Sequence, residues 1–251
     1  MAEQDGIIPL KGTIDKLTFF KSQDGYRARK KTSVTKDKMT NNPNYDSVRE
    51  TMDMFSRAGG AGKLLRLALR PISQGASDGR MISRLSKKMT QVIKADATNP
   101  RGKKNVLDGE LELLTGFEFN VKNSLTTTMA VIYESVIDRV SGNVQVNVPA
   151  FVPKNQIAYP AQATHFQLNM AGAEIDFEKG TYLPRFKSSD QLPLSDTELA
   201  AFSLSVTLTP NSTHPLFLAL GINFFAEDIG SNKLIKNKDS SALAIIKVSG
   251  V

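Results

Sequence analysis

Cysteine and tryptophan are both missing from this 251-residue chain, and histidine occurs only twice. Without thiols there can be no disulfide, no thiolate zinc site and no thiol nucleophile. His165 and His214 are far apart, the first on the polar side of an alternating stretch and the second just before Pro215. That arrangement offers neither zinc-ligand spacing nor a general base beside a nucleophile. No G-x-S-x-G elbow is present either. Aromatic residues make up 7% of the chain, which disfavours a carbohydrate-binding platform of stacked rings. No apolar run approaches the ~18 residues of a membrane span; the longest candidate, Leu216 to Ala226, has the length of a strand. The opening MAEQDGIIPLKG lacks a basic segment followed by an apolar one, so no secretory leader is read. These absences predict a soluble, cytoplasmic, non-enzymatic protein with no cofactor, no metal, no membrane association and no small-molecule substrate.

What is present is positive charge, unevenly placed. The net charge is +7, with 40% apolar and 23% charged residues, enough apolar content for a sizeable core. Residues 1–122 hold 23 Lys and Arg against 14 Asp and Glu, whereas residues 123–251 hold 9 against 11. An asymmetry of +9 against −2 predicts a polyanion-facing part and a neutral part. The alternative is a well-solvated surface that keeps lysine for solubility.

The rhythm of the chain changes near the same point. Leu17–Gln23 and Tyr26–Lys30 flank Asp24-Gly25, a dipeptide suited to a two-residue hairpin turn. Its basic face would collect Phe20, Ser22, Arg27 and Arg29. Ser47 with Glu50 makes a capping-box pattern, followed by Val48, Met52 and Phe55 at helical spacing. Ala61, Leu64, Leu65, Ala68 and Leu69 predict a second helix, stopped by Pro71. Met81, Ile82, Leu85, Met89, Val92 and Ile93 predict a third, with Arg80, Arg84, Lys87, Lys88 and Lys94 on its other side. From about Leu125 the period becomes two. Val144, Val146 and Val148 alternate with polar residues, as do Phe166, Leu168 and Met170, and Phe202, Leu204, Val206 and Leu208. Leu216–Ala226 reads as a strand buried on both faces, and Leu243–Val248 as a final strand. The expected fold is therefore α+β. Residues 1–122 would form a basic β-hairpin and helical module, and residues 123–251 an antiparallel β-sandwich, jelly-roll or Ig-like.

One stretch looks like a named motif. "SRAGGAGKLLRLALR", residues 56–70, runs from a glycine cluster through Gly62-Lys63 into an apolar, basic segment. A phosphate-binding P-loop requires G-x-x-x-x-G-K-[ST] after a strand. Here the first required glycine is Arg57, the required hydroxyl is Leu64, and the preceding segment is helical. The stretch is read instead as a glycine break between two amphipathic helices. Glu174, Asp176 and Glu178 alternate with Ile175 and Phe177, so they share one strand face at ~7 Å spacing. They suit a cation or an acid–base pair, but any solvent-facing strand shows the same alternation.

The basic residues carry the functional expectation. Arg27 and Arg29, then Lys63, Arg66 and Arg70, then Arg84, Lys87 and Lys88, would together give a multi-contact phosphate footprint. Neither a helix-turn-helix nor a zinc-finger or RNA-recognition signature accompanies them. The expected partner is DNA or RNA backbone, bound without base readout. The competing expectation is a homo-oligomeric structural protein that forms particles or filaments with no nucleic-acid role.

The runs "GIIPLKGTIDKLTFFKSQDGYRARKK", "AGKLLRLALR", "ADATNPRGKKNV", "GELELLTGFEFN" and "ATHFQLNMAGAEIDFE" resemble a family of proteins of about this length from the Bacteroidota. The resemblance covers most of the chain. That family carries no established activity, so it implies a bacterial origin and adds no site residue.

Overall fold

A computed structural model describes residues 2–4, 10–31, 34–228, 231–235 and 241–250. The fold is mixed α+β, with antiparallel sheets and, among the described residues, six α-helices. It divides into two compact units, residues 1–50 and 51–251.

The first unit is a four-stranded antiparallel sheet followed by a short helix. Strands β1 (Ala2–Glu3), β2 (Gly12–Ile14), β3 (Leu17–Ser22) and β4 (Gly25–Lys30) lie in the order β1-β4-β3-β2. Helix α1 (Lys36–Asn41) starts at Thr35, whose hydroxyl accepts from the Lys38 N–H. The turn between β3 and β4 is Gln23-Asp24, one residue earlier than the expected Asp24-Gly25. Gly25, at φ +114°, becomes the first residue of β4, and the Ser22 hydroxyl closes the turn by donating to the Gly25 carbonyl and accepting from the Asp24 N–H. Phe20 now faces Arg27, and Thr18 faces Arg29. The register sum moves by two, so Phe20, Ser22, Arg27 and Arg29 still share a face. No described residue of this unit is fully buried.

The second unit contains most of α2 (Asp46–Ala68), then α3 (Arg70–Ser73) and α4 (Met81–Ala95). After them come β5 (Phe117–Glu118), α5 (Leu125–Thr128), β6 (Glu134–Asp138), β7 (Asn143–Val148) and α6 (Pro153–Gln156). The remaining strands are β8 (His165–Asp176), β9 (Thr181–Ser188), β10 (Leu192–Pro193), β11 (Phe202–Thr207), β12 (Leu216–Asp228), β13 (Ser231–Leu234) and β14 (Ala242–Ser249). Seven strands form one sheet along the path β10-β8-β12-β14-β5, with β9 on β8 and β13 on β12. Three form another, in the order β11-β7-β6.

The side-chain pattern of β8 explains the layering. Its even-numbered residues Phe166, Leu168 and Met170 join one core with Val144, Val146, Val148 and Leu204 of the three-stranded sheet. Its odd-numbered residues change character part-way. His165 and Gln167 are polar and half-buried, whereas Ala171, Ala173 and Ile175 are buried against α2 and α4. The helices therefore cover only the second half of the strand, and alternation gives way to burial on both faces there. β12 runs antiparallel beside it, with Phe217 opposite Ala173 and Ala219 opposite Ala171, and shows the same transition. Its nearly continuous apolar run follows from this double cover.

The helices share their core with the large sheet. Leu65, Leu85, Met89 and Ile93 pack with Ala171, Phe217, Leu243 and Ile245. Segments on either side of residue 122 thus fold together, and the division between units falls inside α2 instead. The apolar stripe of α4 needs a partner surface, and the sheet supplies one.

α2 also corrects the reading of the glycine cluster. The helix runs unbroken through Gly59, Gly60 and Gly62. Ala58 before the glycines, Ala61 among them and Leu65 and Ala68 after them are all buried, and that tertiary contact outweighs the low helix propensity of glycine. Gly62 faces α4, where a Cβ would make ordinary van der Waals contact with Leu85 at 3.5 Å. Gly59 faces open space, where a Cβ would meet nothing within 4 Å. Gly59→Ala is accordingly expected to raise stability by about 1 kcal/mol in urea unfolding. A loss of stability would show that the glycine is required.

Candidate functional site

The structure refines where the positive charge lies. Residues 51–104 carry 12 Lys and Arg against 3 Asp, whereas residues 1–50 carry 10 against 7 and residues 105–122 carry 1 against 4. The excess thus lies in α2, α3 and α4 and in the basic segment after α4 that holds Arg101, Lys103 and Lys104. Lys63 and Arg66 stand three residues apart on α2, Arg70 opens α3, and Lys87 and Lys88 lie on α4. Lys63, Arg70 and Lys87 are exposed, while Arg66 and Lys88 are half-buried. None of these five makes an ion pair among the described residues.

The other three expected contacts are placed differently. Arg27 and Arg29 belong to the first unit. Arg27 is engaged by Glu3 at 3.7 Å and Asp24 at 3.4 Å, and Arg29 lies over the Phe20 ring at 5.4 Å. Arg84 is occupied in holding α4 to the strand region after it. It donates to Asp78 at 2.6 Å and to the carbonyls of Glu118 and Phe119 at 2.7 and 3.1 Å, with its guanidinium over Phe117 at 5.3 Å. Burial would raise the carboxyl of Asp78, but the N–H groups of Val121 and Arg80 and the Arg84 guanidinium hold it below its ordinary value. Arg84 is a structural clamp rather than a free charge.

Two cavities flank α2. One, of about 480 Å³, is lined by Arg57, Gly60, Leu64, Val106 and Phe177, with Glu178 at its edge. Arg57 donates from Nη2 to the Gly102 carbonyl at 3.0 Å, while its Nε is buried without a partner. The other, of about 520 Å³, lies between Phe55 of α2 and Ile82, Ser86, Lys87 and Lys94 of α4. Phe55 and Ile82 are each just over half exposed, although both belong to helical apolar stripes in the sequence. No family model and no curated protein matches this chain.

The loop that closes the first cavity is organised by Asp96, which is fully buried. Its carboxylate accepts from the N–H groups of Thr98, Asn99 and Asn105 at 2.8, 2.9 and 3.0 Å. Burial opposes the charge, yet these donors, with the Asn99 amide, hold its pKa at about 2, well below 3.8. A depressed carboxyl contributes stability that is present above its unfolded pKa and lost as pH falls through the folded one. Asp96→Asn is therefore expected to lower the melting temperature at pH 7 and to shrink the loss of stability between about pH 4 and 2. An unchanged acid limb in thermal melts would contradict this role.

The three alternating acids are not a solvent-facing set. Glu174 and Asp176 are buried at the end of β8, each 8% exposed, while Glu178 is exposed in the following turn. Glu174 and Asp176 share the even-numbered face of β8 with Gly172, on the side covered by the three-stranded sheet, whereas Glu178 lies past the end of the strand. Ser212 donates to Glu174 at 2.6 Å, and His214 Nε2 stands 3.8 Å from Asp176. Among the described residues no group of three or more His, Asp or Glu is placed to hold a metal ion, and no helix is long and apolar enough to cross a membrane. Sequence reading missed Arg57, Asp96 and the approach of His214 to Asp176. Arg57 and His214 act through contacts between distant segments, and Asp96 through an irregular loop of its own, and neither leaves a periodic trace.

Proposed function

We propose that this chain is a non-enzymatic cytoplasmic binding and assembly protein whose helical layer contacts a polyanion, DNA or RNA backbone, without reading sequence. The observation that carries the proposal is the concentration of 12 cations against 3 acids in residues 51–104, with Lys63, Arg66, Arg70, Lys87 and Lys88 outside ion pairs among the described residues. Helices that present cations without counter-charges attract phosphate, and binding releases condensed counterions. The two packed sheets are read as an antiparallel β-sandwich, jelly-roll or Ig-like in kind, that serves protein–protein contacts.

The test is a salt series of binding to duplex and single-stranded oligonucleotides. About five phosphate contacts predict a fall in duplex affinity of roughly 500-fold between 50 and 200 mM salt. Binding that is absent, or insensitive to salt, overturns the proposal.

A second reading is favoured by Phe55 and Ile82, exposed beside Lys87. In it the same face joins copies of the chain into a homo-oligomer, with no nucleic acid involved. Size-exclusion with light scattering and A260/A280, before and after nuclease, separates the two: a nuclease-resistant particle free of nucleic acid supports the second.

A further inference from the structure

We propose that the cavity of about 480 Å³ beside α2 is a receptor for one small organic acid, a single carboxylate on an apolar body, anchored by Arg57. The site uses none of the five helical cations named above and stands independently of the polyanion reading. It lies where three segments meet: one face of α2, the loop at 105–107 and the turn after β8. Its volume falls within the range of small-molecule sites, roughly 300–1,000 Å³.

The wall on α2 follows from the helical repeat. Arg57, Gly60, Ala61 and Leu64 stand at i, i+3, i+4 and i+7, so they share one face. Between the guanidinium and Leu64 that face carries only a hydrogen and a methyl group, and it is hollow there. A Cβ at Gly60 would meet nothing within 4 Å. Of the apolar lining, Val106 is buried and Leu64, Leu107 and Phe177 are half-buried. An apolar body seated in the hollow removes their remaining exposed carbon from water.

Arg57 supplies the deciding observation. It is half-buried at this apolar cavity and makes no ion pair among the described residues. Its one side-chain hydrogen bond among them runs from Nη2 to the Gly102 carbonyl at 3.0 Å. Nε is closed to solvent and to a ligand alike, but Nη1 is neither bonded nor closed off. Nη1 and the second N–H of Nη2 form the edge left for an acceptor. The other polar lining residues fix the class of ligand. Asn105 is already engaged: its amide donates to Asp108 at 2.6 Å, and its carbonyl oxygen accepts from the N–H groups of Leu107 and Asp108 at 2.8 and 2.9 Å. Glu178 is exposed and brings only acceptors. One guanidinium edge matches one carboxylate in the two-pronged geometry. A phosphate, with more charge to balance, finds no second cationic side chain in the lining.

The experiment titrates decanoate into the full chain, followed by calorimetry and by the methyl signals of Leu64, Val106 and Leu107 in NMR. Saturable one-to-one binding with shifts centred on those methyls is expected. Decanol, of equal length without the charge, should bind more weakly by roughly tenfold or more, because the charge-assisted bonds are lost. Arg57→Met should bring decanoate down to the affinity of decanol and leave decanol unchanged. Gly60→Leu should abolish binding of both by filling the hollow. Its melting temperature should equal or exceed that of the original chain, since leucine is the better helix former and its Cβ meets no obstacle. If Gly60→Leu fails to fold, the comparison of decanoate with decanol on the unaltered chain still decides. Absence of saturation at millimolar decanoate, equal affinity for decanoate and decanol, or undiminished binding in a folded Gly60→Leu overturns the proposal. So do shifts centred on Ile82 instead, tighter binding of decylamine, or tighter binding of a tripeptide ending in leucine, which would assign the cavity to a peptide terminus.

Discussion

Replacing Lys63, Arg66, Lys87 and Lys88 together by glutamate is expected to abolish binding to a fluorescein-labelled duplex at 150 mM salt, with the fold intact. Each substitution removes a positive charge that pairs with no carboxylate among the described residues and adds a negative one. Four lost phosphate contacts would reduce the salt slope by roughly 3.6, and four introduced acids would repel the backbone besides. The expected loss is at least 1000-fold in anisotropy titrations. Lys63 and Lys87 are exposed and Arg66 and Lys88 half-buried, so the cost to stability should stay near that of ordinary surface changes, about 0.5 kcal/mol each. Arg29→Glu is the matched control in the first unit: an equal loss there would move the interface to the hairpin. Arg84→Glu is no control, because it breaks the Asp78 pair and would report on folding. Unchanged binding in the fourfold variant would leave the polyanion reading without its residues.

How much of this was legible in the sequence depends on whether a feature repeats. The α4 stripe of Leu85, Met89, Val92 and Ile93 and the alternation of Val144, Val146 and Val148 have a period, and both appear where expected. Leu216–Ala226 announced burial on both faces, and helices and a second sheet do cover β12. The glycine cluster misled because propensity is local, whereas the continuity of α2 comes from Ala58, Leu65 and Ala68 packing beneath it. Ile82 fits the helical period and is nonetheless more than half exposed, since period alone does not say how wide the covered stripe is. The acids on β8 misled in the opposite direction. Alternation with Ile175 and Phe177 suggested a wet face, but which face is wet depends on the loop at 209–214, forty residues away in the chain. Charge segregation was visible from the outset, and the fold placed it on α2, α3, α4 and the segment after α4 rather than on the whole of residues 1–122.

Arg139→Ala is expected to be the most destabilising single change outside the apolar cores, by about 3–5 kcal/mol, comparable to removing one member of a buried charge pair. Arg139 follows β6 and looks like an ordinary strand-end arginine in sequence. In the fold its Nη1 donates to the carbonyls of Ser212 and His214 at 2.6 and 2.9 Å. Its Nη2 donates to the carbonyl and hydroxyl of Ser249 at 2.9 and 2.8 Å and to the Gly250 carbonyl at 2.6 Å. One guanidinium therefore ties the turn after β6 to the loop before β12 and to the end of β14. Each hydrogen bond to a charged group contributes roughly 1.5–3 kcal/mol, reduced here because the side chain is only half-buried and water can replace part of it. A shift of that size corresponds to a melting temperature lower by about 10 °C. Arg139→Lys should recover less than half, since one ammonium cannot serve five acceptors arranged for a fork. The same loop carries Ser212 and His214 against Glu174 and Asp176. A lysine variant with full stability would show that the acceptors are served by water and that the clamp is dispensable.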